Sequence, residues 1–280
     1  MRRLAVALVA LLIAGCGGPS GPPSIAVGAG DDPESVLLAH VYAAALRYYG
    51  SPAHVESGSD PVAELDTGDV TVVPGLTGRL LKRFAPDAAA RADEQVYRSM
   101  ISALPEGIGA GDYAQSAQDK PALAVTEATA RAWNGHDLTS AVRHCGAIEA
   151  GAVASADASA DPPAAIGTCR LPAAREFPDA ATLFGALRAG EVNAAWTSTA
   201  APNLPDDVVV LSDRTALVRA ENVVPLYRRN ELTEQQVIAL NQVAGELDTG
   251  GLADMRRQVA DGTDPGAVAG AWLDAHPLGH

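Results

Sequence analysis

Short apolar runs closed by glycine or proline, each followed by a helix-opening signal, most limit the folds open to this 280-residue chain. Ser24-Ile25-Ala26-Val27-Gly28-Ala29-Gly30 has the length and composition of a buried strand ending in glycines. Asp32-Pro33 follows at once, an N-cap residue and a proline suited to the first helical position. The helix they open sets Leu37, Val41, Ala44 and Tyr48 on one face, and Gly50 stops it. Ala53 to Gly58 reads as a second strand. Val70 to Val73 reads as a third, entered after Thr67-Gly68 and left through Pro74-Gly75. Strands alternating with helices need crossover connections, the pattern of an α/β fold with mostly parallel sheets.

The middle of the chain repeats the pattern. Pro121 to Thr126 predicts a strand, and Asp137 to Cys145 a short helix. Residues 151–163, rich in Ala, Ser, Asp and Pro, read as a surface loop. Asp179 to Ala189 predicts a helix with Leu183, Phe184 and Leu187 inward, before strands at Val192 to Trp196 and Val208 to Leu211. Thr233-Glu234-Gln235-Gln236 is a capping box opening a helix with the apolar stripe Val237, Leu240, Val243 and Leu247. Gly250-Gly251 breaks it, a second helix runs to about Ala260, and Asp264-Pro265 opens a third that ends near Trp272-Leu273. Three amphipathic helices without strands between them must pack on a body already built. No internal repeat is visible.

The first residues fix an address. Met1-Arg2-Arg3 is a basic head, and Leu4 to Ala14 is an apolar run within the roughly 7–15 residues of a secretory h-region. It ends in Leu12-Ile13-Ala14-Gly15-Cys16, which resembles the bacterial lipobox, where cleavage precedes a cysteine that carries lipid. Residues 1–15 are then a signal peptide. Residues 16–23, Gly- and Pro-rich with nothing to bury, are a tether from Cys16 to the bilayer. The expected location is the outer face of the bacterial cytoplasmic membrane. Export leaves Cys145 and Cys169 as a pair, for which a disulfide is the default in an oxidising compartment. A metal site with His136 and His144 is the alternative, but it lacks ligand spacing.

Apolar residues make up 48% and charged residues 19%, enough for a packed core. The net charge of -14 and the absence of a basic run argue against nucleic acid as a partner. No GxSxG elbow, HExxH, P-loop or complete GxGxxG occurs, so no enzyme, cofactor or metal is expected. Glu106 to Asp112 is glycine-rich but wrongly spaced for a dinucleotide turn, and reads as a flexible crossover.

The order of these parts resembles the substrate-binding lipoproteins of ATP-driven importers for glycine betaine, choline and related osmoprotectants. The resemblance spans Ile25 to Gly279. It is carried by Gly28 to Ser35, Thr77-Gly78, Ala122 to Val125, Gly190 to Ala195, Val209 to Asp213, and a C-terminal stretch from Leu240-Asn241 through Trp272-Leu273 to Leu278-Gly279. It implies a two-lobed periplasmic-binding-protein type II fold: lobe one from residues 24–111, lobe two from 112–212, and a return to lobe one over 213–280 with the C-terminal helices. The implied partners are a small zwitterionic or cationic solute and the membrane subunits of an ABC importer. A non-transport envelope lipoprotein using the same fold, as a structural or signalling partner, is the alternative. Two departures stand out. Leu76 occupies the place of the family's tyrosine in Pro-Glu-Tyr-Thr-Gly, and Ala200 replaces the carboxylate of Ser-Thr-Asp.

In open α/β sheets ligands sit beyond the carboxyl ends of strands, where helix N-termini offer free N–H groups. The expected binding residues are Gly30, Asp31, Thr77, Gly78, Tyr113, Trp196, Thr197, Ser198 and Asp213. Asp31 or Asp213 would face a cationic head and Trp196 would cover it. The same residues have ordinary uses: Asp32 as an N-cap, Thr77-Gly78 as a turn, Trp196 as core.

Overall fold

The computed structural model describes residues 23–154 and 162–279. The expected signal peptide, Cys16 and most of the tether lie outside them. Strand β1 (Ile25–Ala29) leads into α1 (Pro33–Tyr48), whose N-cap Asp32 accepts a hydrogen bond from the Ser35 N–H at 2.8 Å. There follow β2 (Ala53–Ser57), α2 (Pro61–Thr67), β3 (Val72–Leu76), α3 (Thr77–Phe84), α4 (Asp93–Ala103) and β4 (Ile108–Ala110). The next group is β5 (Pro121–Thr126), α5 (Glu127–Ala132), α6 (Leu138–Arg143), β6 (Ala150–Val153), a hairpin of β7 (Ala165–Ile166) and β8 (Cys169–Arg170), β9 (Arg175–Phe177), α7 (Ala180–Ala189), β10 (Ala194–Ser198) and β11 (Val208–Val210). The chain ends in β12 (Val223–Arg228), α8 (Glu234–Glu246), α9 (Thr249–Ala260) and α10 (Pro265–Ala275).

Two five-stranded sheets result, ordered β2-β1-β3-β12-β4 and β11-β5-β10-β6-β9. In each, a single strand runs against the other four: β12 in the first, β5 in the second. Each is the first strand after the chain crosses from one sheet to the other. The crossings, residues 111–120 and 211–222, lie antiparallel and are bonded through Asp119 N–H to Glu221 O (2.9 Å) and Ala114 N–H to Val223 O (2.8 Å). Buried Asn222 ties them further, donating from Nδ2 to the Ala114 carbonyl and from its N–H to Thr77 Oγ1.

Each sheet has its own core. Leu37, Tyr42, Leu46, Leu240 and Trp272 pack on the first, and Leu123, Trp133, Leu138 and Trp196 on the second. Helix α1 is buried on nearly every side from Leu37 to Leu46, because α8 and α10 cover its outer surface. Tyr48, expected inward, is 52% exposed. Cys145 and Cys169 form a disulfide. Among the described residues no helix is long and apolar enough to cross a membrane.

Three local expectations are corrected. The expected loop over residues 151–163 begins with β6. Its small residues give no strand signal, yet they are what lets α7 seat: a Cβ on Gly151 would lie 2.6 Å from Leu183 Cδ1. Gly250 and Gly251 do not end a helix but lie in the first turn of α9, where the Gly251 N–H donates to the N-cap Asp248 at 2.7 Å. Within the glycine-rich segment 106–112, Ile108–Ala110 is an edge strand on β12 rather than part of the crossing.

Candidate functional site

A cleft of about 460 Å3 opens between the two sheets. One wall comes from the end of β10, with Trp196, Thr197 and Ser198, and from Leu183 and Phe184 of α7. The other carries charge: Arg79 from the first turn of α3, Arg256 from α9, and Asp119 and Glu221 from the two crossings. Every element that joins the sheets therefore places a side chain at the opening between them.

The charged wall is a mutually held network. Arg256 Nη1 donates to Asp119 Oδ2 (2.6 Å) and to the Ala200 carbonyl (3.0 Å), while Asp119 Oδ1 accepts from the Ala200 N–H (2.9 Å). Glu34, 7% exposed beneath them, lies 3.4 Å from Arg79 Nη1 and 3.5 Å from Arg256 Nη1. Its Oε1 has no hydrogen-bond partner. Burial, and next the Asp119 charge, push the Glu34 carboxyl up to about 8, so it keeps its proton at neutral pH. Glu221 is seated at the N-terminus of α3, where its Oε2 accepts the Arg79 N–H at 2.8 Å. Burial pushes it up to about 7 against the pull of that N–H and of the Arg79 guanidinium. Gly78 makes this seat possible, since a Cβ there would stand 2.5 Å from the Ala220 carbonyl oxygen.

The sequence over residues 23–275 matches the profile of the substrate binding domain of ABC-type glycine betaine transport systems. The chain belongs to this family. As a member it is an extracytoplasmic solute-binding protein that works with an ABC importer. The fold is similar to that of apo YehZ from Escherichia coli, at 21% identity and TM-score 0.69, covering 91% of this chain and 99% of that one. It is also similar to a glycine betaine/carnitine/choline ABC transporter protein, at 15% identity and TM-score 0.73, covering 90% and 98%. An ABC-transporter choline-binding protein in complex with choline aligns at 16% identity and TM-score 0.59, covering 91% and 89%. No curated protein sequence matches the chain.

For a member of this family, the residues expected to bind solute are unevenly placed. Trp196, Thr197 and Ser198 line the cleft together. Trp196 is 6% exposed and also packs in the core of the second sheet, so it is both core and wall. Thr77 is buried and accepts the Asn222 N–H, while Gly78 lines an adjoining cavity. Gly30 gives its N–H to Ser35 Oγ and Asp31 is exposed; neither lines the cleft. Tyr113 packs on Tyr97, with ring centres 4.5 Å apart, away from the cleft. Asp213 is tied down at the crossing by Lys120 Nζ (3.2 Å) and by the N–H groups of Leu217 and Val218 (each 3.0 Å). Although burial pushes its carboxyl up, these donors hold it below its usual value.

The departures from the family pattern also resolve. Leu76 is buried in the core of the first sheet and edges a smaller cavity of about 240 Å3 beside Glu34 and Ser35. Ala200 offers its backbone to Asp119 and Arg256, so a carboxylate stands close to the position where the family pattern has one. Sequence reasoning missed Glu34, Arg79, Asp119, Phe184, Glu221 and Arg256. No spacing links them, because they come from six separate segments. In the sequence Phe184 signals only an inward helix residue. Among the described residues no three His, Cys, Asp or Glu side chains converge as a metal would require.

Proposed function

We propose that the protein captures a small zwitterionic or cationic solute of the glycine betaine and choline class between Trp196 and the Asp119–Arg256 pair. The observation that carries this is one indole and one phenyl ring, Trp196 and Phe184, facing a wall with two carboxyls, Asp119 and Glu221, and two guanidiniums, with the Glu34 carboxyl buried beneath them. A cationic head against Trp196 gains from the ring face, and Asp119 supplies the counter-charge. Thr197 and Ser198 offer hydroxyls for a polar tail.

In this reading residues 24–111 and 213–280 form one lobe and 112–212 the other. The paired crossings act as a hinge, and solute touching both walls favours the closed form. Closure creates a composite surface for the importer's membrane subunits. The chain works from the outer face of the cytoplasmic membrane, tethered through an acylated Cys16.

The test is calorimetric and Trp-fluorescence titration with glycine betaine, choline and carnitine. At least one should bind, and Trp196→Ala should weaken that binding by about thirtyfold, the equivalent of a desolvated cation–π contact near 2 kcal/mol. An unchanged affinity would move the site elsewhere.

A further inference from the structure

A second cavity of about 280 Å3 adjoins the cleft and shares Arg79, Pro121 and Glu221 with it. Its other lining residues include Lys82, Arg91 and Arg219 on one side and Leu217 and Val218 on the other. In a chain with 20 basic residues against 34 acidic ones, four basic side chains meet here and Glu221 alone opposes them. Burial raises the Glu221 carboxyl to about 7 against the pull of Arg79 and Arg219, so its opposing charge is partial at neutral pH. Arg79 is shared with Glu34. Arg219 donates to the Ala88 and Ala90 carbonyls and enters no ion pair among the described residues, its charge acting on the nearby Glu221 carboxyl. Lys82 and Arg91 are exposed and enter no ion pair among the described residues. Arg79 and Lys82, three residues apart on α3, present their charges from one face of the helix.

The cleft alone is within the roughly 300–1,000 Å3 of sites that hold drug-sized ligands, and this cavity extends it by a further 280 Å3. A compact betaine, with its two charges separated by one carbon, is too short to place one charge at Trp196 and the other among the basic side chains of a separate, adjoining cavity. Guanidiniums are matched to oxyanions by their paired donors, and several cations around one cavity suit a doubly charged group.

We infer that the basic cavity is an anion subsite of the solute cleft, and that the preferred cargo is a phosphate monoester of an amino alcohol, with its ammonium at Trp196 and its phosphate among Arg79, Lys82 and Arg91. This rests on the reading of the cleft as a site for ammonium solutes. It differs from that reading in requiring the two charges to lie several bonds apart.

The test is calorimetric titration of the protein and of a Lys82→Ala/Arg91→Ala variant with choline, glycine betaine, choline phosphate, glycerophosphocholine and inorganic phosphate. Both substituted residues are exposed and outside the hydrophobic cores, and a melting curve checks that the variant folds. Choline phosphate should bind at least tenfold more tightly than choline, with an affinity that falls steeply with salt. In the variant the ratio of the two affinities should collapse towards one. Glycerophosphocholine binding better than choline phosphate would place a monoanionic diester in the subsite and overturn the choice of a monoester. Inorganic phosphate should compete with choline phosphate but not with choline. Choline or betaine binding with no gain from phosphate, or a ratio unmoved in the variant, would overturn the subsite alone. Binding of none of these ammonium compounds would overturn the reading of the cleft as well.

Discussion

Replacing Glu34 by glutamine should flatten the fall in stability between pH 5 and pH 8. The carboxyl is buried, one oxygen lacks a hydrogen bond, and burial with the Asp119 charge raises it from about 4.5 to about 8. A carboxyl raised in this way binds more protons in the folded state than in the unfolded one. Its stabilising contribution is therefore complete below about pH 4.5 and is lost as the pH rises through about 8. Each pH unit in that window is worth about 1.4 kcal/mol for a group that stays protonated when folded. The whole window then corresponds to ~5 kcal/mol, which coupling within a buried pair reduces to about 2–4 kcal/mol. Glu221, raised to about 7, acts with the same sign over a shorter span. His40, lowered chiefly by burial, acts with the opposite sign, so the informative quantity is the difference between the two proteins. Glutamine keeps a donor that can face Asp119 without carrying a titrating proton. Urea unfolding at half-unit pH steps should find the two proteins within about 1 kcal/mol at pH 5 and the variant about 2 kcal/mol the more stable at pH 8. Parallel stability curves would refute the assignment of a protonated Glu34.

Asp213→Asn leaves Lys120 without its buried counter-ion and weakens the acceptor for two N–H groups, so stability should fall by about 2–4 kcal/mol. A change below about 0.5 kcal/mol in urea unfolding would show that the pair does not organise the crossing. Because the Asp213 carboxyl is lowered, its contribution is present above its unfolded value near pH 3.8 and is lost as the pH falls further. Opening the Cys145–Cys169 disulfide, by reduction or by Cys145→Ser, frees a separation of 24 residues. About 3 kcal/mol should go with it, seen as a melting temperature lower by roughly 5–10 °C; an unchanged melting curve would contradict this. Gly78→Ala must displace the Ala220 carbonyl or the Glu221 carboxyl, and should cost about 1–3 kcal/mol and weaken solute binding. Wild-type values in both calorimetry and unfolding would mean that α3 can shift freely.

The elements legible in the sequence are those whose signals are local. Asp32-Pro33 opens α1 and Thr233 with Gln236 closes a capping box on α8, because cap geometry involves only residues three or four apart. β1, β5 and β10 follow from apolar runs that fill a buried strand. β6 was hidden because its Ala-Gly-Ala-Val is chosen for the close approach of α7, a contact that no local pattern reports. Tyr48 misled for the complementary reason: α1 is covered by helices that lie nearly two hundred residues away in the chain, so its buried surface is not one stripe.

The sequence by itself determined the class of fold and the family, since each is written in contiguous residues or in their order. Tertiary structure decided the site. Glu34, Asp119, Glu221, Arg79 and Arg256 acquire a role only when two crossings and the first turns of α1 and α3 bring them, with α9, to one opening. Their protonation and pairing depend on loss of water and on charges a few ångströms away, and neither quantity exists until the chain has folded.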